Sequence, residues 1–347
     1  MRERLARLIL QYFQPPSRRC YVIDARMENV SKFSRFAKYA WFVLAWNIVV
    51  ILWGVFLRAS KSGDGCGRHW LTCHGEVIPS APELKTVIEF THRISSVVDG
   101  LFVIAMVVWA GAIWYSSRTP VAKRVLCMAA GSLIFVLIEG LIGRGLVLTG
   151  NTAETLTPER PLWMSAHLIN TLILLAFLTL TAWYASARRQ LAFTFKASHA
   201  GVIILGALLI FLVGISGSIA ALSSMIFPSG TLADELAKDF STTSHVLVRL
   251  RLVHPILAIF SGVYLVFAVG WLKSQVTDKP GVKRWSNIIS VLVVAQLAFG
   301  AATLVTFAPI VMQLGHLLLA DAVWIAFVLM TANFLATENP ASEAGLE

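Results

Sequence analysis

The feature that most constrains this chain is a series of eight apolar stretches, each long enough to cross a lipid bilayer as a helix. A spanning helix needs about 20 mostly apolar residues. The stretches are 39–60, 87–116, 125–148, 163–184, 199–224, 246–272, 286–308 and 310–334. Hydrophobic residues make up 57% of the 347 residues and charged residues 14%, which excludes an ordinary soluble domain. The sequence therefore predicts an all-α integral membrane protein with eight transmembrane helices.

Lysine and arginine concentrate on one side of the predicted spans. Nineteen of them fall in the N-terminal tail and the alternate loops, namely 1–38, 117–124, 185–198 and 273–285. Five fall in the opposite loops, namely 61–86, 149–162 and 225–245. Positive charge stays in the cytoplasm, so we expect both termini to be cytoplasmic and the chain to lie in the cell inner (plasma) membrane. This placement of the net charge of +10 indicates a lipid bilayer, not nucleic acid, as the partner.

The two halves of the chain resemble each other. "FTHRISSVVDGLFVIA" at 90–105 parallels "LVHPILAIFSGVYLVFA" at 252–268, and "WMSAHLINTLILLAF" at 163–177 parallels "MQLGHLLLADAVWIAF" at 312–327. The repeat predicts two pseudo-symmetric four-helix bundles of the same orientation, which arose by duplication. The predicted divisions are a basic tail 1–38, an N-terminal half 39–184, a linker 185–198, a C-terminal half 199–334 and a tail 335–347.

Four histidines lie inside the spans, roughly 8–12 Å from the outer boundary at about 1.5 Å per residue. They are His92, His167, His254 and His316, on the second, fourth, sixth and eighth spans. A single intramembrane histidine often makes only a hydrogen bond between helices. Four at matched depth, in duplicated pairs, favour a different interpretation, because two facing histidines in a bundle can bind one haem iron from both sides. The pattern predicts two haem pockets, His92/His167 and His254/His316.

Five arginines lie at the outer ends of the spans, where the positive-inside rule does not favour them. They are Arg58, Arg93, Arg144, Arg249 and Arg251. Each could extend its side chain to the outer headgroups. Together they indicate an anionic ligand near the outer face, and we expect them to pair with haem propionates. The haem sites are therefore predicted on the outer, periplasmic side.

The two predicted pockets differ in their carboxylates. Glu89 precedes His92 by one helical turn, whereas the matching position before His254 is Arg251. The segment "EGLIGRGLVLTG" at 139–150 parallels "QLAFGAATLVTF" at 296–307, so Glu139 in the first half is matched by Gln296 in the second. A carboxylate beside a haem edge can act as a base or stabilise a cationic intermediate. Its alternative role is a salt bridge to Arg93. We expect the chemistry in the first half, and an electron-transfer or structural haem in the second.

The segment "SGDGCGRHWLTCHGEVIP" at 62–79 joins the first two spans on the outer side and contains Cys66 and Cys73. The outer compartment permits disulfides. A metal site that also uses His69 and His74 is the alternative, but the spacing is not that of a familiar zinc motif. An oxidised pair in a short exposed loop is favoured, and it could be redox-active.

These motifs resemble the haem A synthase family over roughly 40–335. The resemblance rests on "FLRASKSGDGCGRHWLTCHG", "EFTHR", "LWMSAHLINT", "LRLVHP" and "QLGHLLLADAVWIA". It implies an oxidoreductase acting on CH or CH3 groups, which converts the C8 methyl of haem O to the formyl of haem A by successive hydroxylations, for haem-copper terminal oxidases. It also implies roles for five residues: Glu89 as the catalytic residue, His92 and His167 as ligands of the substrate haem, and His254 and His316 as ligands of a resident haem b.

The resemblance further implies that Cys66 and Cys73 are the outer-loop pair that passes reducing equivalents or haem. Expected partners are a haem O synthase, terminal-oxidase assembly factors and, as a possible homo-oligomer, further copies of the chain. The sequence departs from the family in four places, one of which is a predicted cytoplasmic tail, 1–38, that is longer than expected. The loop "CGRHWLTC" lacks the usual Cys-Pro-Asp-Trp-Pro pattern, Glu139 stands where glutamine is common, and 225–245 has no cysteine pair.

Three other functions are compatible with parts of the pattern. Glu-x-x-His on a bundle helix is also an element of di-iron oxygenases, which need it on two helices with further carboxylates. A di-haem membrane electron carrier would need the four histidines but not Glu89. A haem chaperone or transporter would share the pockets without catalysis.

Overall fold

The structure is a computed structural model that describes residues 17–70, 72–152, 157–187, 191 and 196–336. Its named elements in these ranges are ten helices. They are α1 Ser17–Ala59, α2 Leu84–Ser117, α3 Pro120–Leu148, α4 Arg160–Ala187, α5 Ala197–Ile226, α6 Leu232–Phe240, α7 Val246–Leu250, α8 Val253–Ser274, α9 Pro280–Val305 and α10 Ile310–Leu335.

The eight predicted spans are confirmed. Eight helical segments of the described chain are long and apolar enough to cross a membrane, with α7 and α8 together forming the sixth. The chain is a multi-pass membrane protein of all-α class. The first helix begins at Ser17, well before the predicted start at 39. The predicted tails extend over 1–16 and 337–347, which lie outside the described residues, and the cytoplasmic position of the termini stays a prediction.

The first four helices form a closed ring. The helix α1 packs on α2 and α4, while α3 packs between α2 and α4. In the second half, α8 packs on α5 and α9, and α9 packs on α10. The two halves meet where α4 contacts α5 and α10, and the Trp324 indole donates to the Leu172 carbonyl across this contact at 2.6 Å. Apolar side chains such as Leu175 and Met330 are fully buried there, so α4 and α10 form the centre of the molecule.

One hydrogen bond between helices shows the internal repeat in three dimensions. The Tyr39 hydroxyl on α1 donates to the Phe102 carbonyl on α2 at 3.0 Å. The Tyr264 hydroxyl on α8 donates to the Val202 carbonyl on α5, also at 3.0 Å. Tyr264 occupies the position equivalent to Phe102, since it is 10 residues after His254 as Phe102 is after His92. The same pair of positions is therefore linked in both halves, with donor and acceptor exchanged.

Two features of the outer side differ from the predicted spans and loops. The sixth span is not one continuous helix, because Pro255 cannot follow a helical turn without a clash with the carbonyl four residues earlier. The helix α7 therefore ends at Leu250, and α8 begins at Val253. The loop predicted at 225–245 contains the short helix α6, which begins after Thr231, whose hydroxyl accepts from the Asp234 amide at 3.1 Å.

Candidate functional site

The four intramembrane histidines lie half-buried on α2, α4, α8 and α10. Three of them pack against a glycine of a neighbouring helix. A Cβ atom built on Gly54 would lie 3.0 Å from the His92 ring, and one on Gly217 would lie 2.9 Å from the His254 ring. Gly54 and Gly217 occupy equivalent positions in the two halves. Gly54 is 15 residues after Tyr39, and Gly217 is 15 residues after Val202, the residue that matches Tyr39 in the repeated hydrogen bond. The repeat thus reproduces a glycine gap that admits an imidazole.

His254 and His316 face each other across the second bundle. Their ring centroids are 6.2 Å apart and their planes are perpendicular. Two imidazoles bound to opposite faces of one iron have centroids about 6 Å apart, since each metal–nitrogen bond is about 2 Å and each ring adds its radius. The His254 Nδ1 lies 3.2 Å from the Val213 carbonyl, and an Nδ1–H donated there leaves Nε2 free as a ligand. This pair fits a bis-histidine haem.

His92 and His167 are brought together in the first bundle, within electrostatic range of each other. The Nδ1 atom of His92 is buried and has no hydrogen-bond partner among the described residues. The Nδ1 atom of His167 lies at ion-pair distance, 3.3 Å, from a carboxylate oxygen of Glu139 on α3, and it too makes no hydrogen bond among the described residues. The sequence comparison noted Glu139 only as a difference between the halves; its contact with His167 depends on how α3 and α4 are rotated, which the repeat alone does not specify.

Glu89 is buried, with 3% of its surface exposed, and both of its oxygens have partners. Arg93 forms an ion pair with one oxygen. The backbone N–H of Cys66 donates to the other at 2.8 Å. The Arg93 guanidinium also donates to the carbonyls of His69 at 2.7 Å and Thr72 at 3.0 Å. The salt bridge to Arg93 that the sequence left open is therefore present, and the pair holds the outer loop against α2.

The other predicted propionate partners have varied surroundings. Arg58 donates to the Gln313 side-chain oxygen at 3.2 Å, which joins α1 to α10. The Arg144 guanidinium lies 5.0 Å from the centroid of the Trp70 ring. Arg249 is exposed on α7. Of the five arginines, Arg93 and Arg251 form ion pairs in the described part of the chain.

Arg251 fastens α6 to the outer end of the second bundle. It lies 3.1 Å from a Glu235 oxygen and 2.9 Å from an Asp239 oxygen, and all three side chains are buried or nearly so. Burial raises the pKa of the Glu235 and Asp239 carboxyls, and the Arg251 charge acts in the opposite direction. Arg251 occupies the position equivalent to Glu89, so each half uses a buried charge at this position to hold its outer segment.

Replacing Arg251 with methionine is expected to release α6. The change leaves two buried carboxylates without their cation, at a cost of about 3–5 kcal/mol. Amide hydrogen exchange over residues 232–240 should become much faster. The exposed neighbour provides the matched control, and Arg249→Met should leave this exchange unchanged. Equal protection of α6 in the Arg251→Met protein and the unaltered protein would contradict the anchoring role.

The outer loop between α1 and α2 is closed by a disulfide. Cys66 and Cys73 are bonded, as predicted, and both are fully buried. The expectation of an exposed disulfide is therefore wrong, because the loop folds down onto the start of α2. Gly65 makes this close approach possible, since a Cβ there would lie 2.3 Å from the Lys85 carbonyl. The His74 Nε2 atom is hydrogen-bonded to the Gly65 carbonyl at 2.8 Å. The metal site considered as the alternative would instead need this ring to face the two cysteines.

Thiol alkylation should distinguish the buried bridge from free cysteines. In protein kept under air and then unfolded without reductant, Cys66 and Cys73 should take no label, and both should label after reduction. Cys127 is free and exposed, so it should label in either case and serves as the internal control. Labelling of both loop cysteines without reductant, read by peptide mass spectrometry, would contradict the disulfide.

An apolar cleft opens on the face of α2 that carries Thr91 and Ser95, which belong to the same turn of the helix as His92. Its volume is about 410 Å³. It is lined by Val49, Val50, Leu52, Trp53, Phe56, Thr91, Ser95 and Leu314. These residues come from α1, α2 and α10, so the cleft lies where the first bundle meets the second half. Thr91 and Ser95 flank His92 along α2, and a ligand at that histidine could extend an apolar group into the cleft.

Comparison with known proteins identifies the family. The family model for COX15-CtaA, described as cytochrome oxidase assembly protein, matches residues 37–328. This range includes all eight spans except the ends of the first and last. The chain belongs to the COX15-CtaA family.

Named relatives fall into two groups. Two proteins called protoheme IX farnesyltransferase, from two strains of Thermus thermophilus, are 41% identical to the chain over 312 residues. The match covers 90% of this chain, which spans about half the length of these relatives. Haem A synthases of Symbiobacterium thermophilum and Shouchella clausii are each 25% identical. They match 80% and 85% of this chain and 88% and 94% of their own lengths.

The metal-binding side chains of the described residues bear on the di-iron alternative. A di-iron centre needs several carboxylates and histidines around two metals. Within the described residues, no group of three or more His, Cys, Asp or Glu side chains could hold a metal ion. Paired histidines in two bundles suit haem instead, because the porphyrin supplies the other four ligands of its iron.

Proposed function

We propose that the chain is a haem A synthase, which oxidises the C8 methyl group of haem O to a formyl group through successive hydroxylations. The family assignment and the similarity to haem A synthases over most of both chains support this function. The observation that carries the proposal is an asymmetry. Two equivalent bundles each contain a pair of histidines, but the first has Glu89 and Glu139 at the two positions where the second has Arg251 and Gln296.

In this proposal, the first bundle binds the substrate. His92 and His167 would bind the iron of haem O, and the apolar cleft between α1, α2 and α10 would accommodate its isoprenoid tail. Of the five predicted arginines, Arg58 and Arg144 lie at the outer ends of α1 and α3 and would pair with the propionates. The disulfide-closed loop contacts Glu89 and Arg93 on α2, and in this proposal it would limit the access of water to the substrate.

Glu89 is proposed as the catalytic residue. Each hydroxylation would break a C–H bond of the methyl group at the porphyrin edge, release one proton and pass two electrons to an external electron acceptor, which leaves positive charge on that carbon. Water then adds and loses a proton. A fixed carboxylate stabilises the positive charge and can accept the proton. Arg93 supplies the counter-charge that makes a carboxylate tolerable at this depth.

The second bundle would hold a resident haem b between His254 and His316. The 6.2 Å separation of the rings and the glycine gaps at Gly217 and Gly300 support this assignment. When bound, haem b supplies one-electron transfer. The chain itself fixes the two imidazoles, and Arg251 and Gln296 stand at the positions of Glu89 and Glu139.

The test is the conversion of haem O by the full chain. Membranes containing the protein in cells that make haem O but lack haem A synthase should accumulate haem A and the intermediate alcohol, separated by chromatography after acid extraction. A protein with both haem pockets but only haem b and unchanged haem O would be a di-haem electron carrier, or a haem chaperone or transporter. Haem O that stays unconverted in such a protein would reject the proposal.

Partners and location follow from the same proposal. The Thermus relatives named protoheme IX farnesyltransferase match this chain over only half their length, which supports a haem O synthase as the partner that delivers substrate. Terminal-oxidase assembly factors would receive the product, and a homo-oligomer is possible. The charge distribution supports an inner-membrane protein whose haem sites lie toward the periplasm.

A further inference from the structure

The carboxylate of Glu139 is held firmly against one histidine of the first bundle. It lies 3.3 Å from the Nδ1 atom of His167. The Asn170 amide and the Thr171 hydroxyl, one turn further along α4, both donate to the carboxylate. Asn170 also donates to the Phe135 carbonyl on α3 at 2.9 Å. Two helices therefore fix the position of this carboxylate, and they do so at a proposed iron ligand.

The second bundle lacks this arrangement at the equivalent positions. Gln296 replaces Glu139, and Leu319 and Ala320 replace the two residues that hold the carboxylate. The Gln296 amide nitrogen lies 3.4 Å from the Nε2 atom of His316. The neighbour of His316 is therefore a neutral amide. Leu319 and Ala320 cannot fix that amide in place, because their side chains have no hydrogen-bond donors.

His167 and His316 also pack differently against the helix that precedes each of them, α3 and α9. A Cβ atom on Gly300 of α9 would lie 2.9 Å from the His316 ring. The equivalent glycine of α3 is Gly143, and a Cβ atom there would meet nothing within 4 Å. The ring of His167 therefore does not pack on the glycine gap that its counterpart uses. It lies beside Glu139 instead.

We propose that Glu139 is a positioning residue for His167. This inference rests on the proposed function, in which His167 binds the substrate-haem iron. The 3.3 Å approach places the carboxylate where a small turn of the ring would let it accept the Nδ1–H bond. Such a bond fixes the tautomer and ring orientation, leaves Nε2 free for the metal, and raises the basicity of the ligand. The added negative charge stabilises ferric over ferrous iron. The first-bundle haem should then have a lower reduction potential than the second, which favours electron transfer from first to second.

Purified full-length protein loaded with haemin tests this inference. Glu139→Gln keeps the size of the side chain and removes its charge. The affinity of the first bundle for haemin should fall by about 10–100-fold. The reduction potential of that haem, measured by spectroelectrochemistry, should rise, while that of the second haem should not change. The reciprocal change, Gln296→Glu, should lower the potential of the second haem alone.

The second haem serves as an internal reporter of folding in the Glu139→Gln protein. The exposed Glu159, at the start of α4, provides a matched control, and Glu159→Gln should alter neither potential. Unchanged affinity and potential of the first haem in Glu139→Gln would overturn the positioning role. His167→Ala separates the two levels of the proposal. If it removes the low-spin spectrum of the first haem while Glu139→Gln changes nothing, only this inference fails. If His167→Ala also changes nothing, the proposed ligand set fails and the inference falls with it.

Discussion

Replacement of Glu89 by glutamine is expected to stop the conversion of haem O to haem A in a protein that still folds and binds haem. The change removes the buried negative charge and the proton acceptor but keeps the size of the side chain. General-base catalysis contributes about 10²–10⁴-fold in rate, so haem A should fall at least to that extent. Chromatography of haems extracted from cells that lack haem A synthase measures the loss. Haem content and the amount of protein in the membrane should stay near those of the unaltered protein.

The structure gives Glu89 a second role that this experiment must separate from catalysis. Its carboxylate accepts from the Cys66 N–H and pairs with Arg93, so it holds the outer loop. Arg251, at the equivalent position of the second half, holds α6 through Glu235 and Asp239. A buried charge at this position can therefore have a purely structural role. A glutamine oxygen can still accept from Cys66. The loop should therefore stay in place in Glu89→Gln, and only the charge should be lost.

Arg93→Gln is the comparison that decides between the two roles. It also breaks the ion pair, and it removes the donors to the loop carbonyls of His69 and Thr72. If holding the loop were the only role of Glu89, Arg93→Gln would reduce haem A at least as much as Glu89→Gln. The exposed Glu83, just before α2, provides the charge-matched control, and Glu83→Gln should have no effect. Normal haem A output from Glu89→Ala would reject the assignment and direct attention to Glu139.

Features that depend on composition and on the repeat could be predicted from the sequence. Eight spans follow from the length of the apolar stretches, and the cysteine pair follows from a short loop in an oxidising compartment. The repeat gave the matched positions of the histidines, because duplicated segments keep their register. The glycines that face His92 and His254 were not predicted, although Gly54 and Gly217 are aligned by the same repeat. A search for glycines at equivalent positions would have found them.

Contacts that depend on the rotation of helices and the path of loops could not be predicted. Glu139 contacts His167 only because α3 and α4 turn these faces toward each other. Arg251 was expected near a propionate, but α6, which was predicted as loop, places two carboxylates against it. The burial of the disulfide depends on where the loop folds after it leaves α1. In each case the residue types were evident, and the partner was set by packing between segments distant in sequence.

Loss of the second haem is the other large effect we expect. Replacing His254 or His316 with alanine removes one axial ligand of the proposed haem b. Each variant should lose the low-spin absorbance of that haem, either through release of the haem or through conversion to a high-spin species. The spectrum of haem bound in the first bundle should not change, because its proposed ligands, His92 and His167, lie on α2 and α4. Absorption spectra of the purified oxidised and dithionite-reduced proteins measure both effects, and His69→Ala, in the exposed outer loop, is the control.

The glycine gaps allow the same site to be tested without removing a ligand. An alanine at Gly217 would place its Cβ 2.9 Å from the His254 ring, and one at Gly300 would lie 2.9 Å from the His316 ring. Each change should displace the imidazole from the iron and weaken haem binding, while the helices stay intact. Gly270 provides the control, since a Cβ there meets nothing within 4 Å. If the histidine and glycine variants all keep the full low-spin spectrum, the iron of that haem is bound elsewhere and the C-terminal pocket is misassigned.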